Sequence, residues 1–140
     1  MEPCRQDMEI ISHRGHWLAP TEKNQTEAFV RSFAAGFGVE TDVRDLAGSL
    51  VISHDLPTGG EMPFDSFLEL YTRHGSPGTL ALNVKADGLQ ESLRKSLDQF
   101  GIQSYFLFDM SVPDLLRSTR SGLTCFSRES EFEPKPLSLY

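Results

Sequence analysis

Apolar and polar positions along this chain repeat with two different periods, one suited to strands and one to helices. Residues 9–12 form a short β-prone run ending at His13-Arg14-Gly15, and Ala28, Phe29, Phe33 and Ala34 then recur at helical spacing within residues 24–35. A strand, a loop and a helix are predicted. Gly36 and Gly38 bracket the helix end, and residues 39–45 alternate apolar and acidic positions, as a strand with one buried face does. After a turn at 46–49, the apolar run 50–53 leads into His54-Asp55. Pro57, Gly59 and Gly60 break the chain before a helical segment that holds Phe64, Phe67, Leu68 and Tyr71. Residues 79–85 read as a strand, 89–100 as an amphipathic helix with Leu93, Leu97 and Phe100 on one face, and 104–108 as a strand. Residues 112–119 make a short helix that tolerates Pro113 in its first turn, and 123–126 a last strand. The terminal stretch with Pro134 and Pro136 has neither period.

Strands alternating with helices predict a parallel sheet with right-handed crossovers, hence an α/β fold of the (β/α) TIM-barrel type in a single domain, residues 1–140. A closed barrel needs eight β-α units and about 250 residues, and the pattern here supplies about five. The barrel is therefore expected to be incomplete, and self-association through its open sheet edge is expected to follow.

The 39% hydrophobic fraction, with 24% charged residues and 10 Phe, is a globular composition. A net charge of −7 repels phosphate-rich polymers, which excludes a general nucleic-acid or acidic-membrane surface and leaves a small anion recruited by a local cation. Cys4 and Cys125 have no metal-site or CxxC spacing and read as two reduced, unrelated thiols. The N-terminus lacks a basic region followed by an apolar run, and no stretch approaches the ~18 apolar residues of a membrane span. The expectation is a cytoplasmic protein without membrane insertion.

The chemistry-bearing residues sit at strand ends, where α/β-barrels place their catalytic groups. His13 and Arg14 follow the first strand directly. Glu40 and Asp42 are two residues apart, so strand geometry points both carboxylates to one side. Two convergent buried carboxylates call for a hard cation, Mg²⁺ or Ca²⁺, and the competing reading pairs them with Arg or Lys instead. His54 ends another apolar run, and two imidazoles suit acid-base cleavage, one taking the nucleophile's proton and the other protonating the leaving oxygen.

His13-Arg14-Gly15, Asn24 with Ala28-Phe29, Glu40-x-Asp42-Val43 and His54-Asp55, in this order and spacing, resemble the glycerophosphodiester phosphodiesterases. The resemblance covers residues 10–55 closely and continues more loosely to Lys85. It implies a TIM-barrel phosphodiesterase that cuts a small phosphodiester substrate to an alcohol and glycerol phosphate through a cyclic phosphate. By the same resemblance His13 and His54 are the general acid and base, Glu40 and Asp42 bind the metal, Arg14 holds a phosphate oxygen and Lys85 adds a second cation.

Two departures remove negative charge from that site. The family's Glu-x-Lys is Asn83-Val84-Lys85 here, and an amide oxygen still binds Mg²⁺ or Ca²⁺, though more weakly. Asp109, after the strand at 104–108, is a candidate for the missing carboxylate, with a loop or capping role before Ser111 as the alternative. The family's Glu-Asn-Thr is Lys23-Asn24-Gln25. These changes support a second reading, a non-catalytic phosphate-ligand binder or an inactive truncated remnant. His16 and Trp17 are candidates for lining the pocket or for packing, and His74 is expected to contact carbonyls at a helix end, outside the site.

Overall fold

The computed structural model describes residues 8–128, 131 and 132; Cys4 and the Pro134-Pro136 tail lie outside them. The elements run β1 (Ile11–His13), a 3-10 turn (Pro20–Glu22), α1 (Thr26–Ala34), β2 (Gly38–Leu46), β3 (Ser49–Ile52), α2 (Phe64–Arg73), β4 (Leu80–Val84), α3 (Gln90–Gln99), β5 (Tyr105–Phe108) and α4 (Val112–Arg120). Four strands are parallel, in the order β1-β2-β4-β5, and form an open, curled part of a barrel.

The period-2 pattern divides the sheet into two faces. Val39, Val43, Leu80, Leu82 and Leu107 are buried in the main core, with Phe29 and Phe33 of α1, Phe64, Phe67 and Tyr71 of α2, and Leu93 and Leu97 of α3. Rings interlock there, Phe29 meeting Phe67 edge-on at 4.8 Å between centroids. Glu40, Asp42, Ala81 and Asn83 alternate with these residues and face the other way.

Two expectations need correction. β3 does not open a parallel β-α unit: it pairs antiparallel with β2, from Leu46↔Ser49 to Val43↔Ile52. The connection is two residues long, Ala47 and Gly48, with φ of 50° and 82°, the left-handed pair that a tight hairpin requires. Residues 123–126 do not form a strand either. They touch the sheet through a single parallel bridge, Cys125 to Leu107, with Leu107 N–H donating to Thr124 O and Phe126 N–H to Leu107 O. Among the described residues no helix is long and apolar enough to cross a membrane.

Because β1, β2, β4 and β5 are parallel, their carboxyl ends share one rim. His13, Lys85 and Asp109 lie at or just beyond the ends of β1, β4 and β5. Asp42 is in register with Asn83, and Glu40 with His13.

Candidate active site

The first loop is built by close approach. Gly15 has φ +86°, and a Cβ there would lie 2.8 Å from Ala28, so only glycine lets the loop settle on the start of α1. The N–H of His16 then donates to Ala28 O at 2.9 Å. This contact explains why a glycine after His13-Arg14 and an alanine in α1 belong to one motif.

Three site residues hold left-handed backbones that cost other residue types energy: Arg14 and Asn24 at φ 58° and Asp109 at φ 67°. The strain is held by hydrogen bonds. Arg14 N–H donates to Glu40 O at 2.8 Å, and Asn24 N–H donates to Arg14 O at 3.0 Å. The Asn24 side chain donates to Asp42 Oδ2 at 3.0 Å and accepts from Thr41 Oγ1 at 2.9 Å. Asn24 is thus a strut under Asp42, a role its motif position alone did not reveal.

Asp42 is 1% exposed and lies between two cations, Arg14 Nε at 3.4 Å from Oδ2 and Lys85 Nζ at 3.7 Å from Oδ1. Arg14 Nε is buried and has no hydrogen-bond partner among the described residues. Glu40 lies 3.7 Å from His13 Nε2, and its carboxyl is pushed up to about 7, first by burial and then by the negative charge of Asp42. His13 is shifted below its ordinary 6.5 by desolvation of its ring and then by Arg14, against the pull of Asp42. A largely neutral imidazole results at neutral pH, although its side chain is 66% exposed.

His54 leaves the end of β3 and its Nδ1 lies 2.9 Å from Asp55 Oδ1. A carboxylate only accepts, so Nδ1 carries the proton and Nε2 is left for a ligand. The His54 carbonyl accepts from Arg44 Nε at 3.1 Å and Nη2 at 2.8 Å, while Arg44 Nη1 donates to Lys85 O at 3.3 Å. Arg44 therefore ties the two loops that carry His54 and Lys85. It was missed in the sequence because it lies on the strand between the acidic positions and acts through backbone oxygens.

A pocket of about 510 Å³ is lined by Arg14, Lys23, Asn24, His54, Thr58 and Glu61, among others. His13 lines a neighbouring depression of about 260 Å³ with His16 and Trp17. The two histidines open onto different hollows. His74 stays outside, its Nδ1 2.8 Å from Leu70 O at the end of α2.

A hard cation suits the donors in kind. Asn83 Oδ1 is buried without a partner among the described residues, in register with Asp42, whose carboxylate already faces Arg14 and Lys85. Among the described residues no three or more His, Cys, Asp or Glu side chains are grouped so that they could hold a metal ion. Asp109 reaches the cluster only through a 3.5 Å contact with Asn83 Nδ2, its other oxygen lying 2.9 Å from Arg128.

No protein-family model matches the sequence and no curated protein aligns with it. Solved structures do match. A glycerophosphodiester phosphodiesterase from Parabacteroides distasonis superposes with a TM-score of 0.66 at 16% identity, over 80% of this chain and 60% of its own. One from Agrobacterium tumefaciens gives 0.65 at 21% identity, over 84% and 65%. A Galdieria sulphuraria protein assigned to the same family gives 0.74 at 17% identity, over 94% and 68%. The chain has the fold of these proteins and spans about two thirds of their length or less.

Proposed function

We propose that this chain binds and hydrolyses a small phosphodiester of the glycerophosphodiester class, releasing an alcohol and a phosphomonoester. The observation that carries the reading is the pair of cations, Arg14 and Lys85, held on one buried aspartate at the rim where β1 also ends in His13. Arg14 Nε and Lys85 Nζ pair with Asp42 by charge without a hydrogen bond to it, so they can turn toward phosphate oxygens without losing their counter-charge. His13 takes the proton from the attacking group, the substrate's own neighbouring hydroxyl or a water. His54 protonates the leaving oxygen from Nε2, which requires a second proton on the ring beside the Nδ1 proton held by Asp55.

Glu40, Asp42 and Asn83 would hold Mg²⁺ or Ca²⁺, which supplies polarisation of the phosphoryl oxygens when bound. Turnover of deacylated lipid head groups in the cytoplasm, and association of copies through the open sheet edge, belong to the same reading. A monomeric mass in solution contradicts the second of these.

The competing reading, a phosphate-ligand binder that does not turn over, is favoured by Asn83, an amide where the resemblance calls for a carboxylate. Hydrolysis of glycerophosphoglycerol and of an aryl phosphodiester, in Mg²⁺, Ca²⁺ or EDTA, decides between them. Metal-dependent turnover that falls about 10²- to 10⁴-fold in His13→Ala is expected of the enzyme. Binding of the diester without turnover under any of these conditions establishes the binder.

A further inference from the structure

Lys23 is the residue of this site that the proposed mechanism leaves unused. The turn before it is anchored: Glu22 accepts from the N–H groups of Leu18 at 2.7 Å and Ala19 at 3.3 Å, and from Arg31 Nη1 at 2.9 Å and Nη2 at 3.0 Å. The side chain is steered too. Lys23 Nζ lies 4.6 Å from the centre of the Trp17 ring, whose Nε1 donates to His13 O at 3.1 Å. A lysine stem normally loses much rotamer freedom on binding a ligand, and a face-on aromatic ring spends part of that loss beforehand.

Among the described residues Lys23 has no carboxylate within ion-pair distance, unlike Arg14 and Lys85. It lines the 510 Å³ pocket beside Arg14 and His54. The acids on the same wall are engaged: Glu61 accepts the N–H groups of Thr58, Gly59 and Gly60, and Asp55 faces His54. These contacts orient the two acids without cancelling their charge, and among the described residues Lys23 is the cation of this lining with no carboxylate within ion-pair distance.

We propose that Lys23 determines the leaving alcohol, favouring phosphodiesters whose alcohol bears an anionic group such as a carboxylate over those bearing an ammonium. This rests on the phosphodiester reading above, in which Arg14 holds the phosphate and the pocket beyond it takes the alcohol. An ammonium there meets Arg14 and Lys23 together, whereas a carboxylate gains a counter-charge that is already in place.

The test uses two glycerol phosphodiesters of equal length, esterified to 3-hydroxypropionate and to 3-aminopropanol. Equilibrium binding is measured by calorimetry on full-length His13→Ala protein, which holds ligand without turning it over. About ten-fold tighter binding of the carboxylate ester is expected, weakening with added salt. Lys23→Gln in the same background brings the ratio near one, Lys23→Glu inverts it, and Lys23→Arg restores it. An equal ratio with Lys23 present, or one unchanged in Lys23→Gln, overturns this assignment while the phosphodiester reading stands. Failure of every variant to bind either ester, with normal thermal unfolding, overturns the phosphodiester reading and this assignment with it.

Discussion

Among the described residues two aspartates are buried almost completely, Asp42 at 1% and Asp114 at 3% exposure, and their surroundings are opposite in kind. Asp114 opens α4 and is met by neutral donors, the N–H of Gly88 at 3.0 Å and the side-chain amide of Gln90. Its charge also sits where the partial positive charge at the start of a helix favours an anion. Asp42 is met by one neutral amide and two cations, which stand 3.4 and 3.7 Å away. The first arrangement is closed and joins α3 to α4. The second holds charge in reserve, because a phosphate can share Arg14 and Lys85 with the aspartate. Burial of a carboxylate says little about its task, and the identity and distance of its partners say a great deal.

The comparison breaks most visibly at Asp42. Asp42→Asn leaves two cations without their counter-charge and is expected to cost about 3 kcal/mol in urea unfolding, together with loss of diester binding. A stable variant that still binds would put Asp42 in the same class as Asp114.

Glu40, the carboxylate next to Asp42 on the same face of β2, gives a pH signature. Its folded-state pKa lies near 7, above the ordinary 4.5, so the folded state holds more protons than the unfolded chain between those values. Stability should therefore fall as pH rises from about 4.5 to about 7, by about 2 kcal/mol after discounting for solvent screening. Unfolding curves at a series of pH values in EDTA measure that slope, and Glu40→Gln should flatten it.

Asp114→Asn keeps the shape and removes the charge. About 1 kcal/mol of stability should be lost as two donors lose their charged acceptor, with calorimetric binding of the diester unchanged. The smallest effect is expected at Arg44. Arg44→Met loosens the His54 carbonyl and should lower turnover roughly three-fold with a similar KM, since positioning of a catalytic group is felt in kcat. Steady-state kinetics on the two proteins provides that check.

Most of the architecture was legible because the burial pattern is simple. Phe29, Phe33, Phe67, Leu68, Leu93 and Leu97 announce three helices by spacing, and the apolar positions of β2 and β4 announce the helix-facing side of the sheet. The direction of β3 was not legible. A four-residue apolar run looks the same in a parallel and an antiparallel pair, and the deciding feature is the conformation of Ala47 and Gly48. Residues 123–126 have strand composition, yet their backbone pairing with β5 is one bridge.

Within the site, His13, Arg14, His54 and Asp109 were singled out by their strand-end positions, Glu40 and Asp42 by their period-2 spacing, and Asn83 and Lys85 by the family resemblance. The contacts among them depend on neighbouring strands: register places Asp42 beside Asn83 and leaves Asp109 on Arg128. Arg44 and the strut formed by Asn24 act through partners at least ten residues away in sequence, so local pattern reading could not find them.

The Ala47-Gly48 turn sets a ruler as well as a direction. Because β3 runs back along β2 before releasing His54, the length of this hairpin fixes how far the imidazole stands from Asp42 and Arg14. Each residue of strand spans about 3.4 Å, so a slip of pairing by two residues preserves every inward and outward side chain while carrying His54 about 7 Å along β2. The core would tolerate that slip and the chemistry would not. An insertion in this short connection would thus displace His54 while leaving the core packing in place.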